Sequence, residues 1–331
     1  MKEMVSFVIP CYRSSQTLPG VVEEIRGAME KLTEYEYEVV LVNDCSPDDT
    51  FLVIRELCGK YENITGINLA RNFGQHAALM AGFRYAKGSI VICLDDDGQT
   101  PANEAGKLLD EIRKGADVVY AAYEQKRHSW FRNLGSGINE LMTRIMLGKP
   151  KHLYISSYFA ARRFVIDEIL GYEGAYPYVI GLILRTTGNI VNVNVTHRQR
   201  EIGTSGYTMK KLFSLWFNGF TSFSVKPLRM ATAVGSICAV GGFAYGIYTI
   251  IKKIFIQPPE LVTGFSALMS MLVFIGGVTM LMMGLVGEYI GRMYISMNRS
   301  PQYVVRELVE SKEEKSSEGN GNEKQGSPMG E

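Results

Sequence analysis

Three consecutive carboxylates, Asp95, Asp96 and Asp97, close the apolar run Ile90-Val91-Ile92-Cys93-Leu94 and are followed by Gly98 and Gln99. Adjacent acids repel one another unless a positive charge sits among them. A divalent cation fills that role, and Mg²⁺ or Mn²⁺ prefers hard oxygen donors shared with substrate phosphates. In an extended segment alternate side chains share a face, so Asp95 and Asp97 are expected to point together and Asp96 away. Asp97 then ligates the metal, and Asp95 leans on a nucleotide. A solvated acidic turn has the same short pattern, so the motif gains weight only from its surroundings.

Those surroundings are periodic. Val5-Ser6-Phe7-Val8-Ile9-Pro10 reads as a strand stopped by its proline, and Leu18 to Leu32 carries a helical stripe of Leu18, Val21, Val22, Ile25, Met29 and Leu32. Val39 to Val42 is a second strand ending at Asn43-Asp44, followed by a helix from Asp48-Asp49-Thr50 to Cys58 with acids near its N-terminus. Ile64 to Leu69 is a third strand, Gln75 to Ala86 a helix of small residues, Asn103 to Lys114 another helix and Asp117 to Ala121 a fifth strand. Strands alternating with helices at this spacing predict an α/β fold with a mostly parallel sheet and right-handed crossovers. Such sheets bind ligands at the carboxyl ends of their strands, where Asp44, Asn72 and Asp95 to Asp97 fall.

Composition narrows the class. The 331 residues suffice for one large domain with an appendage, or for two domains. Lys and Arg number 35 against 34 Asp and Glu, a balance that argues against nucleic acid as the main partner. Five scattered cysteines without a CxxC pair suggest reduced thiols in a cytosolic compartment. Met4 to Pro10 is too short for the apolar core of a signal peptide. No internal repeat or P-loop is evident.

Ile9-Pro10-Cys11-Tyr12, Val42-Asn43-Asp44-Cys45-Ser46-Pro47-Asp48-Asp49-Thr50, Arg71-Asn72-Phe73-Gly74-Gln75, Gly88-Ser89 and Leu94-Asp95-Asp96-Asp97-Gly98-Gln99-Thr100-Pro101 occur in this order. Together they resemble the family 2 glycosyltransferases of GT-A fold, and within them the polyprenyl-phosphate glycosyltransferases related to dolichyl-phosphate mannose synthase, over residues 4 to 300 or so. The resemblance implies that Pro10, Tyr12 and Asp44 line the base and ribose pocket of a sugar nucleotide, with Asp95 and Asp96 alongside. It implies that Asp95, Asp97 and Gln99 hold the metal and diphosphate, and that Arg71 and Asn72 brace that pocket. Arg132 and Ser136 match an acceptor-phosphate pair; four positions apart, they share a helix face, and a guanidinium fork suits a phosphate. Lys126 and Arg127 add positive charge nearby. Arg200, in Arg200-Glu201-Ile202-Gly203-Thr204-Ser205-Gly206-Tyr207, matches a loop arginine that reaches the diphosphate. Asp97, Arg132 and Arg200 are thus the expected catalytic set.

The chain departs from the family at four positions. Asn43-Asp44-Cys45-Ser46 replaces Asp-Asp-Gly-Ser, Tyr123 stands where relatives have Arg, and Gly206 where they have Lys. Leu153, ahead of Ser156-Ser157-Tyr158-Phe159, occupies the position of an acid considered important in catalysis, with His152 beside it. A phosphate acceptor is already ionised near neutral pH and needs no carboxylate base.

The C-terminal third reads as membrane-associated. Two apolar stretches, 229–252 and 265–289, each reach the roughly 20 residues that span a bilayer, and the short link with Pro258-Pro259 makes them a hairpin over 229–291. Gly276-Gly277, Gly284, Gly287 and Gly291 allow close helix approach in lipid. Lys226, Arg229, Arg292, Arg299 and Arg306 outnumber Lys252 and Lys253 of the turn, which favours cytoplasmic termini. Met209 to Phe223, within 208–228, is an amphipathic helix suited to the membrane interface. The chain before it, 1–207, is the catalytic domain. The segment 292–331 is a cytoplasmic tail, expected to be disordered from about 310.

The sequence therefore predicts a multi-pass protein of a bacterial inner membrane with a cytoplasmic catalytic domain. It would transfer a sugar, with inversion, from a nucleotide sugar (UDP-hexose or UDP-HexNAc expected over GDP) to polyprenyl phosphate, with Mg²⁺ or Mn²⁺. The resemblance adds a homo-oligomer, a tetramer in relatives. Two other readings stand beside this one. A processive polysaccharide synthase would carry Gln-x-x-Arg-Trp and more spans, neither of which is present, and a catalytically silent scaffold would bind the nucleotide or lipid without turnover.

Overall fold

A computed structural model describes residues 2–123, 149–150, 153–196, 264–297 and 301–310, with isolated residues between 233 and 255. The described chain opens with strand β1 (Glu3–Cys11), helix α1 (Leu18–Met29), β2 (Tyr35–Asn43), α2 (Thr50–Lys60), β3 (Ile64–Leu69), α3 (Gln75–Tyr85) and β4 (Ile90–Cys93). It continues with α4 (Ala105–Arg113), β5 (Val118–Tyr123), β6 (Phe159–Arg162), α5 (Arg163–Leu170), α6 (Val179–Thr186), β7 (Ile190–Val195), α7 (Phe265–Met297) and β8 (Val305–Val309).

The strands form one eight-stranded sheet in the order β7-β5-β6-β4-β1-β2-β3-β8. β1 pairs in parallel with both β2 and β4, β2 with β3, and β5 with β7. β6 runs antiparallel between β4 and β5, and β8 antiparallel along β3. The strand order reverses between β1 and β4, since the chain moves outward through β2 and β3 and returns across α3 to the other side of β1. A crevice at the carboxyl ends of the strands is where such a reversal leaves room for a ligand.

Both faces of the central strands are buried, which explains their near-continuous apolar sequences. Val5, Phe7, Ile9 and Cys11 of β1 pack with Leu18, Val22 and Ile25 of α1, Ile54 of α2 and Leu108 of α4. On the other face α3 packs so closely that a Cβ on Gly82 would lie 2.3 Å from Val8 Cγ1; α5 and α6 join α3 in that layer. Pro10 does not end β1, which runs on to Cys11 in register with Asn43. Pro10 shares its parity with Val8, whose carbonyl faces Leu94, so its missing N–H points to the side where β4 has already stopped.

The sequence assigned no strand between residue 292 and the C-terminus, yet β8 seals the β3 edge. Its burial alternates, with Val305, Glu307 and Val309 turned partly inward; Arg55 pairs with Glu307, and Ala70 N–H donates to the Val304 carbonyl at 2.8 Å. The segment from Pro301 thus belongs to the same compact unit as Met1–Gly206.

Tyr207–Ser300 forms a second compact unit. Its helix α7 has 33 residues, about 50 Å at 1.5 Å per residue, and the window Phe274–Gly291 has a mean hydropathy of 1.4. That is long and apolar enough to cross the roughly 30 Å hydrocarbon core of a bilayer. It is the one candidate span among the described residues. The other expected span, 229–252, lies largely outside them, and the amphipathic stretch Met209 to Phe223 wholly so.

Candidate active site

The acid run leaves β4 at its carboxyl end and parts in two directions. Asp96 turns toward β1, where its Oδ2 accepts the backbone N–H of Tyr12 at 2.9 Å, and the Thr17 hydroxyl donates to the Asp96 carbonyl at 2.6 Å. Burial pushes the Asp96 carboxyl up to about 6 against the pull of the Tyr12 amide, and its neighbours Asp95 and Asp97 raise it further. Asp95 meets α3 and the loop before β6. Its Oδ1 accepts from Gln75 Nε2 at 2.9 Å, and its Oδ2 from the Ser157 hydroxyl. Asp97 Oδ1 accepts the Gln99 N–H at 3.1 Å across Gly98, whose φ of +72° is costly for any residue with a Cβ. Burial lifts the Tyr123 phenol to about 12, and both Asp95 and Asp97 contribute to that rise. Asp96 therefore turns toward the Tyr12 amide and Asp95 toward Gln75 and Ser157, in a run that bends away beyond Cys93, where β4 ends.

The ends of β1 and β2 form the wall beside the acids. Tyr12 is 45% exposed, with the Arg13 guanidinium 5.6 Å from its ring centre. Arg13 and Cys45 both adopt positive φ, +58° and +49°, sparsely populated backbone that persists only where surrounding bonds hold it. Arg13 N–H donates to Ser46 Oγ at 2.8 Å. Asp48 accepts from the hydroxyls of Ser46, Thr50 and Ser15. Partial burial alone would raise its carboxyl, but these donors outweigh that and hold it near about 2.

Asp44 is placed differently from a simple ribose acceptor. It is 4% exposed, and its two carboxylate oxygens accept the backbone N–H groups of Phe73 at 2.7 Å and Gly74 at 2.8 Å. Burial raises its carboxyl above the ordinary range, and these two amides oppose the rise. Asp44 thereby ties the loop entering α3 to the end of β2, and Asn72 Nδ2 adds a bond to the Asp44 carbonyl at 3.2 Å. Arg71 is exposed, with its guanidinium 4.6 Å from the Phe73 ring centre.

On the far side, Leu153 is 2% exposed, a core position and no place for an ionised base. Asn192 of β7 clamps Tyr154, accepting its N–H at 2.8 Å and donating to its carbonyl at 2.7 Å. The Tyr154 ring meets Tyr123 edge-on at 6.5 Å, so an aromatic pair stands where the family resemblance leads one to expect an Arg. Arg132, Ser136, Lys126, Arg127, Arg200, His152 and Gly206 lie outside the described residues. Sequence alone gives Gln75 and Ser157 no role, because an uncharged donor facing an acid leaves no signal there.

The donor set suits a hard divalent cation bound jointly with a substrate. Asp95 and Asp97 supply carboxylate oxygens just beyond the carboxyl end of β4. Among the described residues no three His, Cys, Asp or Glu converge on one point. Mg²⁺-type sites use one or two carboxylates and leave the remaining positions to water and substrate phosphates, so these residues fit such an ion and do not form an all-protein cage.

A profile described as glycosyl transferase family 2 matches residues 6–170, and one described as GtrB C-terminal hairpin matches 226–293. Over 310 residues the chain is 33% identical to the undecaprenyl-phosphate 4-deoxy-4-formamido-L-arabinose transferase of Aeromonas hydrophila, covering 93% of this chain and 95% of that protein. The chain belongs to the family 2 glycosyltransferases. The hairpin match takes in both apolar stretches, so this family 2 glycosyltransferase carries a C-terminal hairpin segment behind its GT-A domain. Glucosyl-3-phosphoglycerate synthase from Mycobacterium tuberculosis, solved with Mn²⁺ and UDP-glucose, superposes with a TM-score of 0.50 at 16% identity, over 66% of this chain and 77% of that one. The same enzyme with Mn²⁺, UDP and phosphoglyceric acid gives 0.50 at 16%, over 65% and 75%. At that identity the likeness speaks for the fold of the transferase.

Proposed function

We propose that this transferase moves a sugar from a nucleoside-diphosphate sugar to a polyprenyl phosphate at the cytoplasmic face of a bacterial inner membrane. The observation that carries the reading is the gathering of Tyr12, Asp44 and the three acids at the strand ends flanking the β1/β4 reversal. The relative named for undecaprenyl phosphate, matched along nearly the whole chain, supports the acceptor.

A lipid phosphate oxygen attacks the anomeric carbon, the bond to the nucleoside diphosphate breaks, and the single displacement inverts that carbon. A bound Mg²⁺ or Mn²⁺ would neutralise the leaving diphosphate, worth several kcal/mol of barrier by a rough general figure. Asp95 and Asp97 would hold that ion, with Gln99 beside them, while Pro10 and Tyr12 line the nucleoside and Arg71 and Asn72 brace the loop. Arg200 and Arg132 would offset charge on diphosphate and acceptor, with Ser136, Lys126 and Arg127 completing the acceptor site. A phosphate monoester loses its second proton near about pH 6, so the nucleophile arrives ionised and this route needs no carboxylate base at position 153. UDP is the expected nucleotide, a hexose or N-acetylhexosamine the expected sugar, and a homo-oligomer the expected assembly.

Leu153 and Tyr123 also favour a second reading, a scaffold that binds without turnover. Incubating membranes with labelled nucleotide sugars and polyprenyl phosphate, with and without Mn²⁺, separates the two. Metal-dependent label in the lipid phase is the expected result. Donor binding with no lipid label would leave the scaffold.

A further inference from the structure

Asp95 is gripped from two remote parts of the chain. Gln75 opens α3, 20 positions away, and Ser157 sits in the loop before β6, 62 positions away; each donates to a different oxygen of the same carboxylate. Both donors are themselves held. The Phe73 and Gly74 amides ahead of Gln75 are fixed by Asp44, and Ala78 N–H donates to the Gly74 carbonyl at 3.1 Å. Beside Ser157, the Ser156 hydroxyl bonds the carbonyls of Ala121 and Tyr158, each at 2.8 Å.

Two donors on separate oxygens fix the plane of a carboxylate as well as its direction. A carboxylate has about four lone-pair sites, so two hydrogen bonds orient it without exhausting its capacity. Neither donor is charged. An Arg or Lys in either place would cancel the Asp95 charge, whereas an amide and a hydroxyl aim it and leave it anionic. Such outer partners tune metal affinity in other sites by about 10- to 100-fold.

We infer that Gln75 and Ser157 are positioning residues that pre-set the Asp95 carboxylate for a divalent cation carrying the donor diphosphate. The inference rests on the function proposed above and assigns that site two residues from opposite sides of the crevice. Ser157 lies on the Tyr154 side and Gln75 on the Asp44 side, so one acid joins the two walls.

The test is Mn²⁺ binding to the full-length protein in nanodiscs with UDP present, followed by electron paramagnetic resonance of free Mn²⁺. Wild type, Gln75→Met, Ser157→Ala, Ser157→Thr and Asp95→Asn are compared, with the thermal midpoint of each. Gln75→Met and Ser157→Ala are each expected to weaken Mn²⁺ binding about 10-fold with little change in midpoint, and Ser157→Thr to restore it. Gln75 is exposed and Met keeps its length and helix preference, so this variant decides the matter should the loop variants not fold. Unchanged Mn²⁺ affinity in Gln75→Met and Ser157→Ala, with loss in Asp95→Asn, overturns the inference and leaves the proposed function standing. A wild type that binds no Mn²⁺ with UDP overturns both.

Discussion

The backbone N–H of Tyr12 donates to the carboxylate of Asp96 at 2.9 Å, joining positions 84 apart in sequence. This bond ties the loop after β1 to the acid run after β4, across the strand reversal that opens the crevice. Asp96 is thus a brace between its neighbouring acids and the loop after β1. Asp96→Ala removes the acceptor of the Tyr12 amide, an exposed bond worth about 1 kcal/mol. A lowered thermal midpoint and a raised KM for the nucleotide sugar are expected. Asp96→Asn keeps an acceptor oxygen and should lose much less of both. Equal losses in the two variants would mean that the charge of Asp96, and not its bond to Tyr12, matters.

His76, the second residue of α3, stacks edge-on against Tyr178 at 4.9 Å, and its buried Nδ1 has no hydrogen-bond partner among the described residues. Burial lowers its pKa from 6.5 to about 4. The unfolded chain therefore takes up a proton near pH 6.5 that the folded chain refuses until about pH 4. Stability from this group is complete above pH 6.5 and is lost as pH falls through that window, by at most about 3 kcal/mol. His76→Phe should flatten the acid limb of thermal stability between pH 6.5 and 4. An unaltered limb would place the titrating group elsewhere.

Much of this arrangement was legible before the structure. Strands β1, β2 and β4 announce themselves as near-continuous apolar runs because both of their faces are buried, and helices α1 and α4 because each buries one periodic face. The parting of Asp96 from Asp95 is set by their separate partners, Tyr12 on one side and Gln75 and Ser157 on the other, because the run lies beyond the end of β4 and strand alternation does not reach it. β6 was hidden because Phe-Ala-Ala-Arg is four residues long and carries no alternation; its place between β4 and β5 is decided by pairing across the sheet. β8 alternates in burial but not in sequence, since Glu307 turns partly inward and Leu308 outward, so Val-Arg-Glu-Leu-Val shows no apolar period of two. The bonds by which Asp44 holds the Phe73 and Gly74 amides are not legible in sequence, because backbone partners carry no mark there.

The return of β8 gives a prediction about stability. Truncation after Tyr303 bares the β3 edge from Gly66 to Leu69 and frees the Ala70 amide next to the Arg71–Gly74 loop. A lower thermal midpoint and weaker nucleotide binding are expected together. Glu307→Ala removes only an ion pair whose side chains are each more than a third exposed, worth less than about 1 kcal/mol, and should behave nearly as wild type. A truncated protein with unchanged midpoint and binding would show β8 to be dispensable.

The central claim, that acids at the end of β4 hold a cation joined to the sugar donor, is tested most directly by a crystal structure soaked with UDP and Mn²⁺. The account predicts an anomalous Mn²⁺ peak within about 2.2 Å of an Asp95 or Asp97 carboxylate oxygen, with the diphosphate on its other side and the nucleoside against Tyr12. A peak elsewhere in the molecule, or ordered UDP with both acids turned from its diphosphate, would contradict it.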